Sequence, residues 1–387
     1  MCFTCHTNKN PLEYACGEKI VFSVEANKSI CQTVKWELLT DDGKKENGTG
    51  FCCKGNPLIV ETTLNKPGFA RLICKAYTEN DTPDNTFDVL SASAGAEVEK
   101  LMYLDTVPKD FDDYWAEMKS AVDNFVPQLL HCQEITAGMP SGVTCYDVRL
   151  STPEGRPVSG YVCIPTAKGT YPIITHFMGY GILGASPMPD RHAIVACFNA
   201  HGIENHLTTD QLNEKYGEEL KGYGHSRAEN ASNMTTYWRG MMMRDLIGIK
   251  YVKSLPCWDG QNLTVQGSSQ GAFQSTVMAS VDTDVSFLNI QVPWLCNLRA
   301  EQFGFMEGGR PAFAEGLRYF DTVAHAMRVK CPVKMMIGLG DYTCPPSTTL
   351  TLYNHFTSPK TLDAVQGLGH SLAVPADAEH FYKNKGF

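Results

Sequence analysis

The sequence has few charged residues for its length and lacks a long hydrophobic run. Asp, Glu, Lys and Arg make up 19% of the 387 residues and hydrophobic residues 43%, so a large core is expected and disorder is not. The net charge of −9 leaves no basic surface for phosphates, which argues against nucleic-acid binding. No apolar stretch reaches the roughly 18 residues of a membrane-spanning helix. Internal repeats and low-complexity tracts are also lacking.

Cysteine is abundant, with 15 residues, and it is concentrated near the start of the chain. The first fifth holds Cys2, Cys5, Cys16, Cys31, Cys52, Cys53 and Cys74. Such clustering is typical of disulfide-bonded exported domains, although a chain of this length does not require an oxidising compartment. Cysteines in apolar runs, such as Cys163 and Cys197, are interpreted as small buried hydrophobic residues.

The segment from Cys2 to His6 matches the C-x-x-C-H pattern of c-type haem attachment. No surrounding helical region could enclose a haem, and nothing else in the sequence suggests redox chemistry, so we expect no cofactor. We interpret the segment as the remainder of a cleaved export signal. A periplasmic or secreted protein is therefore expected, while a cytoplasmic location stays open.

Residues 1–95 are predicted to form a small all-β domain. Lys19 to Glu25 reads as one strand, and buried-type residues alternate from Val34 to Leu38 and from Ala70 to Ala76. Short strands at this spacing favour an immunoglobulin-like sandwich. Ser91 to Gly95 is interpreted as a linker. Trp36 or Tyr77 could stack on sugar rings if exposed, although their alternating positions favour core packing.

Residues 96–387 are predicted to form an α/β-hydrolase domain with a mostly parallel sheet. Strands are expected at residues 144–151, 158–164 and 171–177, and helices at residues 238–255 and 377–385. This alternation of strands and helices is typical of a sheet with crossover helices.

The pentapeptide Gly267-Ser268-Ser269-Gln270-Gly271 carries the strongest functional signal. It reads G-x-S-x-G between a β-prone run, Asn262 to Gln266, and a segment that can continue as a helix. That context is required of a nucleophile elbow, in which small residues two positions either side of the serine permit a tight turn. Ser269 is therefore the candidate nucleophile.

A serine nucleophile needs a histidine base and an acid, which follow it in the chain order Ser, acid, His. The apolar strand Val333 to Leu339 ends in Gly340-Asp341, and His370 follows a later strand in the glycine-containing loop Gly367-Leu368-Gly369-His370. Asp341 and His370 are the candidate acid and base. Asp363 is the second choice for the acid, but it lies within a strand. The remaining histidines are not preferred: His355 falls in a helical pattern, and His176 in an apolar strand is interpreted as structural or close to the site.

Acyl transfer also requires hydrogen-bond donors for the oxyanion. The backbone N–H of Gln270 follows the nucleophile at the start of a helix, where N–H groups are free. The second donor is predicted to be the N–H of Tyr180 in Met178-Gly179-Tyr180-Gly181, which follows the strand ending at Phe177.

With these residues identified, residues 100–387 resemble the acetyl xylan esterase and cephalosporin-C deacetylase family of carbohydrate esterases. The motifs that carry the resemblance are Pro108 to Trp115, Gly179-Tyr180-Gly181, Arg239-Gly240, Gly267 to Gly271, Gly340-Asp341 and Gly369-His370. The resemblance implies removal of O-acetyl groups from acetylated carbohydrates without a metal, and it permits a homo-oligomer. The chain departs from the family pattern at Met178, Met242, Ala272 and Ser371, none of which is a predicted catalytic group.

The residues predict a serine hydrolase, and together with the family resemblance they leave three functions to weigh. The first is a serine deacetylase of plant polysaccharides or their oligosaccharides, such as acetylated xylan. The second is a broad carboxylesterase or peptidase with the same fold. The third is a non-catalytic glycan-binding protein, against which the intact order of Ser269, Asp341 and His370 argues.

Overall fold

The computed structural model describes residues 3–27, 29, 31–375 and 378–385, which form three β-sheets and six α-helices. The strands before residue 97 are β1 (Phe3–Thr7), β2 (Lys19–Ala26), β3 (Gln32–Thr40), β4 (Lys45–Cys52), β5 (Leu58–Thr63), β6 (Gly68–Tyr77) and β7 (Leu90–Ala96). The later strands are β8 (Leu129–Ile135), β9 (Val143–Leu150), β10 (Val158–Pro165), β11 (Tyr171–Phe177), β12 (Ile194–Phe198), β13 (Trp258–Ser268), β14 (Phe287–Gln291), β15 (Val333–Gly338), β16 (Lys360–Val365) and β17 (His380–Lys385).

The helices are α1 (Phe111–Asn124), α2 (Thr209–Leu220), α3 (Tyr237–Lys253), α4 (Gln270–Val281), α5 (Thr322–Ala326) and α6 (Pro346–His355). Among the helices in the described part of the chain, none is long and apolar enough to cross a membrane. Proline opens α6, where a missing N–H breaks no intrahelical hydrogen bond. Thr208 caps α2 through a capping box with Gln211.

The N-terminal strands form two antiparallel sheets around one core. Their strand orders are β1-β2-β5 and β4-β3-β6-β7. Phe22 of β2 and Leu38 of β3 are both fully buried in the same cluster, so the two sheets face each other. The predicted inward positions Ala70, Leu72, Cys74 and Ala76 are all buried, although Arg71 between them is buried as well. Trp36 packs against the cluster. The immunoglobulin-like topology and the domain boundary at residue 95 stay predictions.

The remaining strands form one mixed sheet in the order β17-β16-β15-β14-β13-β11-β12-β10-β9-β8. The strands from β16 to β12 pair in parallel, while β17, β10, β9 and β8 are antiparallel to their neighbours. Successive side chains of a strand point to opposite faces of the sheet, so adjacent residues pack in different hydrophobic clusters. Val162 belongs to the large core that includes α3 and α4, whereas Cys163 belongs to a smaller cluster.

Two local predictions are wrong. Residues 380–385, expected in a terminal helix, form β17 along the free edge of β16, where their backbone groups complete a ladder. Asp377, the expected start of that helix, lies outside the described residues. Ser91 to Gly95 is not an exposed linker but part of β7, because its small side chains fit a closely packed strand.

Strand β7 also contacts the loops that follow β15 and β16. The buried side chain of Gln366 accepts a hydrogen bond from the Ser93 N–H (3.2 Å) and donates one to the Ser93 carbonyl (3.0 Å). A Cβ added at Gly340 would lie 2.1 Å from the Ser91 carbonyl oxygen, so only glycine fits there. The N-terminal sheet therefore packs directly against the segments that lead to Asp341 and His370.

Replacing Gln366 with Ala is expected to lower the free energy of unfolding by about 1–3 kcal/mol, because two buried backbone groups of Ser93 lose their partner. Urea denaturation of the purified variant measures the change. Gln133→Ala in β8 is the matched control, since Gln133 is exposed. A loss in Gln366→Ala no larger than that in the control would contradict the proposed contribution of this contact.

His325 in α5 is a fully buried histidine outside the predicted site. Its Nδ1 lies 2.6 Å from Ser280 Oγ, and its Nε2 lies 3.1 Å from the Tyr319 carbonyl oxygen. Arg328 and Asp112 are the charged groups that act on it, with opposite effects. Burial is the larger cause and lowers the pKa of His325 to about 3, so the folded protein holds this imidazole neutral.

We expect the free energy of unfolding to fall as pH decreases below about 6.5, the pKa of an unfolded histidine. Between that value and about 3, the unfolded chain binds a proton at His325 that the folded protein does not. The contribution of one such proton is about 1.4 kcal/mol per pH unit. The free energy of unfolding is measured from pH 7 to pH 5. Its change per pH unit should be smaller in His325→Gln than in the wild type, whereas the control His192→Gln, at an exposed histidine, should behave as wild type. Equal slopes would exclude His325 as the source.

Candidate active site

Ser269 lies at the sharp turn between β13 and α4. Its backbone has φ 55° and ψ −118°, a conformation that residues with a side chain rarely adopt. A Cβ at Gly267 would lie 2.5 Å from the carbonyl carbon of Gly271, and one at Gly271 would lie 2.2 Å from the Phe177 carbonyl oxygen. The prediction that these two positions need small residues is confirmed, and the contacts leave room for glycine alone. The turn thus has the geometry of a nucleophile elbow.

The structure brings Ser269, His370 and Asp341 into one hydrogen-bonded chain. Ser269 Oγ lies 3.0 Å from His370 Nε2, and His370 Nδ1 lies 2.9 Å from Asp341 Oδ2. Asp341 is 1% exposed, and its Oδ1 accepts hydrogen bonds from the N–H groups of Thr343 (2.8 Å) and Cys344 (2.9 Å). The carboxylate is therefore fixed, and it favours the imidazole tautomer that carries its proton on Nδ1. Nε2 is then free to accept the serine proton.

The other candidates lie apart from this chain. Asp363 in β16 pairs with His380 of β17 at 2.8 Å, so it is engaged at the sheet edge. His355 ends α6, and its Nδ1 lies 2.8 Å from the Thr351 carbonyl oxygen. His176 in β11 lines the same cleft as Ser269, and burial lowers its pKa. His176 is therefore close to the site, one of the two roles considered for it.

Asp341, Cys344 and His370 also have the spacing of a metal site, with potential ligand atoms within 4.8 Å of one another. Their chemistry does not favour a metal. Burial raises the pKa of the Cys344 thiol well above its ordinary value, so it stays protonated rather than becoming a thiolate ligand. Both oxygens of Asp341 already accept hydrogen bonds. The three residues fit an acid and base pair better than a metal centre.

Two backbone N–H groups are available near the serine. Gln270 begins α4, where the helix provides no acceptor for its N–H, and the helix dipole favours negative charge. Tyr180 lies in the loop after β11, and the end of β11 packs directly on the elbow at Gly271. In the part of the chain that the structure describes, no protein acceptor bonds the N–H of Gln270 or Tyr180. Both remain candidate oxyanion donors.

Tyr223 joins the elbow to the loop that carries Tyr180. Its hydroxyl donates to Gln270 Oε1 (2.7 Å) and accepts from the Gly181 N–H (3.0 Å). From Gln270 the hydrogen bonds continue to Gln274 (3.3 Å) and then from Gln274 to Asp245 Oδ2 (2.8 Å), all in buried positions. Burial raises the pKa of Asp245 to about 7. Tyr223 thus helps to fix the distance between the N–H groups of Gln270 and Tyr180, because it bonds both Gln270 and the neighbouring Gly181.

His201 holds the same loop from another direction. Burial lowers its pKa to about 4, so the ring is neutral near pH 7. Nε2 lies 2.8 Å from the Gly181 carbonyl oxygen and must carry the proton to donate there, which leaves Nδ1 to accept from the Tyr237 hydroxyl at 2.7 Å. Gly181 is consequently bonded through both its N–H and its carbonyl.

Sequence reasoning missed these supporting residues for different reasons. His201 follows the end of β12, a position where polar residues of a parallel sheet reach the site edge, so a signal was available. Tyr223 lies in an irregular segment between α2 and α3, where no local pattern marks it. Asp245 in α3 and Gln274 in α4 lie among apolar residues, so in the sequence each appears as a single polar residue in an otherwise apolar helix.

The cleft beside Ser269 has a volume of about 590 Å³, and most of its exposed lining surface is apolar. Tyr180 stacks on Tyr223 with ring centroids 4.4 Å apart and meets Trp294 edge-on at 5.5 Å. Among the described residues that line the cleft, none is Asp, Glu, Lys or Arg. The cleft therefore suits a neutral ligand.

One wall of the cleft is a strained segment after β14. Val292, Leu295 and Asn297 have φ values of 41°, 54° and 52°, although none is glycine. The buried Asp321 carboxylate accepts hydrogen bonds from the N–H groups of Asn297 (3.0 Å) and Leu298 (2.7 Å), which holds the segment in place. Trp294 is thereby kept against the cleft.

Comparison with known proteins identifies related chains. The profile of the acetyl xylan esterase family (AXE1) matches residues 94–315 and 309–385. The acetyl esterase Axe7A of Xylanibacter ruminicola is 27% identical over 333 residues, which cover 79% of this chain and 71% of that protein.

Two solved structures share the fold. An acetyl xylan esterase from Paenibacillus sp. R4 has a TM-score of 0.58 and 19% identity, covering 72% of this chain and 94% of its own. Acetyl xylan esterase 1 from Thermoanaerobacterium sp. JW/SL YS485 has a TM-score of 0.59 and 19% identity, covering 72% and 93%. The fold of the larger region is thus α/β-hydrolase-like.

Replacing Tyr223 with Phe is expected to lower kcat for an acetyl ester by about 10- to 100-fold with little change in KM. The ring packing is kept, but the hydroxyl that fixes Gln270 and Gly181 is lost, at a cost of about 1–3 kcal/mol in a buried site. Steady-state kinetics with an aryl acetate measure both constants. Tyr171→Phe is the control and should behave as wild type, because the Tyr171 hydroxyl donates to the Ala167 carbonyl and does not contact the site. An unchanged kcat in Tyr223→Phe would contradict this positioning role.

Proposed function

The chain belongs to the acetyl xylan esterase family and is a carboxylic-ester hydrolase, and we propose that it removes O-acetyl groups from acetylated plant polysaccharides or their oligosaccharides. The observation that carries the proposed mechanism is the continuous hydrogen-bonded chain from Ser269 through His370 to Asp341. Acetylated xylan is the substrate that the family name suggests.

In the proposed mechanism, Ser269 Oγ attacks the acetyl carbonyl while His370 Nε2 accepts its proton. The Asp341 carboxylate, 2.9 Å from His370 Nδ1, stabilises the imidazolium that forms and holds the ring in place. The N–H groups of Gln270 and Tyr180 would donate to the oxyanion of the tetrahedral intermediate. His370 then protonates the sugar oxygen as its bond to the carbonyl carbon breaks, which releases the free hydroxyl and leaves the acetyl-enzyme. Water next attacks the acetyl carbonyl while His370 accepts its proton, and the proton passes to Ser269 Oγ as acetate is released.

The cleft supports a neutral ester over a charged peptide. An acetylated sugar carries no formal charge, and the described lining residues include no acidic or basic side chain apart from histidine. A peptidase that binds a chain terminus would need a carboxylate for the ammonium group or a cation for the carboxylate. A broad carboxylesterase remains the second candidate, because the apolar cleft also accommodates simple aryl esters.

A purely glycan-binding function is less well supported. The residues around the three predicted catalytic groups are arranged for chemistry: Ser269 is strained, Asp341 is fixed by two amides, and His370 lies within hydrogen-bond distance of both. A site used only for binding would not require the strained backbone. Export and a homo-oligomer stay predictions.

Ser269→Ala is expected to abolish acetate release from acetylated xylan and from an aryl acetate. Removing the nucleophile of a serine triad typically lowers kcat by about a millionfold. Ser268→Ala is the matched control in the same turn; it should retain most of the wild-type rate, because the Ser268 hydroxyl bonds Gln291 rather than His370. Acetate release that persists in Ser269→Ala would show that the nucleophile is assigned wrongly. Release from the aryl acetate but not from xylan would favour the broad carboxylesterase.

A further inference from the structure

Two cysteines face each other at the open end of the β3–β4 hairpin. The antiparallel register pairs Gln32 with Cys52, so the next opposed positions are Cys31, before β3, and Cys53, after β4. Their sulphur atoms lie 2.7 Å apart. Register and sulphur separation therefore point independently to the same pair.

Cys53 is held in a fixed position by the turn that follows it. Its N–H donates to the Asn56 carbonyl (3.1 Å), and the Asn56 N–H donates back to the Cys53 carbonyl (3.0 Å). Gly55 permits this turn with φ 80°. One thiol of the pair is thus positioned before any bond forms.

The neighbouring Cys52 is not an equivalent partner. Successive residues near a strand end point to opposite faces. Cys52 is completely buried in the core between the two N-terminal sheets, together with Cys74. Cys31, by contrast, is exposed.

A second pair, Cys145 and Cys163, has its sulphur atoms 2.8 Å apart on β9 and β10. Both thiols are completely buried inside the large sheet, so a soluble oxidant has no route to them in the folded protein. The exposed thiol of Cys31 distinguishes the hairpin pair.

We propose that Cys31 and Cys53 are a disulfide site that closes the open end of this hairpin. Strand β4 is an edge strand of its sheet, and several of its side chains are exposed, including Phe51 at 62%. An edge hairpin can separate at its open end, and a cross-link there keeps β4 paired with β3. The bond would constrain a 22-residue separation in the unfolded chain.

The reaction is thiol–disulfide exchange with a small disulfide such as oxidised glutathione. The Cys31 thiolate attacks one glutathione sulphur, which forms a mixed disulfide and releases one glutathione thiolate. The Cys53 thiolate then attacks the Cys31 sulphur, which forms the Cys31–Cys53 bond and releases the second glutathione thiolate. The two protein thiols are oxidised by two electrons, oxidised glutathione is reduced, and the two thiol protons pass to the released thiolates.

Peptide mapping of the full chain tests the site. The protein is equilibrated with oxidised glutathione, its free thiols are alkylated, and it is digested with trypsin under non-reducing conditions. Trypsin cleaves after Lys28, Lys35, Lys45 and Lys54, which releases residues 29–35 and 46–54. We expect these two peptides joined, and separated on reduction. Alkylation of both Cys31 and Cys53 without prior reduction would overturn the proposal, as would a link from residues 29–35 to any other peptide.

Substitutions identify the sulphur atoms. Cys52→Ser should keep the link, and Cys53→Ser should lose it, although both lie in the same tryptic peptide. A link that persists in Cys53→Ser would contradict the assignment.

Reduction should lower the melting temperature of the oxidised wild type by about 5 °C. Reduction should not change the melting temperature of Cys31→Ser. In the control Cys132→Ser, at an exposed cysteine of β8, reduction should lower the melting temperature as it does in the wild type. Ester hydrolysis measured on the same samples reports the active site separately.

Discussion

The strained backbone at Ser269 is the constraint on which the rest of the site depends. A residue with positive φ between a strand and a helix is stable only if its surroundings hold it there. Here Gly267 approaches Gly271, and Gly271 approaches the carbonyl of Phe177, so β13, α4 and the end of β11 meet at one point. This contact also places the loop after β11, with Tyr180, beside the first N–H of α4. One tight turn therefore sets the positions of the candidate nucleophile and of both candidate oxyanion donors.

Asp341 and His370, the candidate acid and base, are positioned by contacts from outside the central strands. Gly340 directly precedes Asp341 and contacts the backbone of β7, while Gln366 bonds Ser93 of the same strand through both of its amide atoms. The loops that lead to Asp341 and His370 are therefore packed against the N-terminal sheet. Asp41 adds a further link, since its carboxylate accepts from the N–H groups of Phe69 (2.7 Å) and Met306 (2.8 Å). Through this packing the N-terminal sheets help to position the loops that carry Asp341 and His370.

Much of this arrangement could be predicted from sequence because its signals are local. The elbow needs glycines at fixed positions, and Asp341 and His370 each follow an apolar strand, so their order and placement can be read along the chain. Contacts between distant segments cannot be read in this way. Ser91 to Gly95 looks like a linker because small residues are common in loops, but its burial depends on loops roughly 250 residues later. The edge strand β17 likewise depends on a free edge of β16 that no local pattern reveals.

The departures from the family pattern become understandable at the level of packing. Met178 is one of these departures, and its sulphur lies 3.6 Å from Cys197 Sγ beside an apolar cluster. Met241 and Met242 are completely buried in the large core, so these positions provide no polar group to the site. The loop at Gly181 is instead bonded by Tyr223 and His201, and Tyr223 is connected through Gln270 to Gln274. Apolar packing thus holds one side of the loop and a buried hydrogen-bond network holds the other, beside the hydrogen-bonded chain of Ser269, His370 and Asp341.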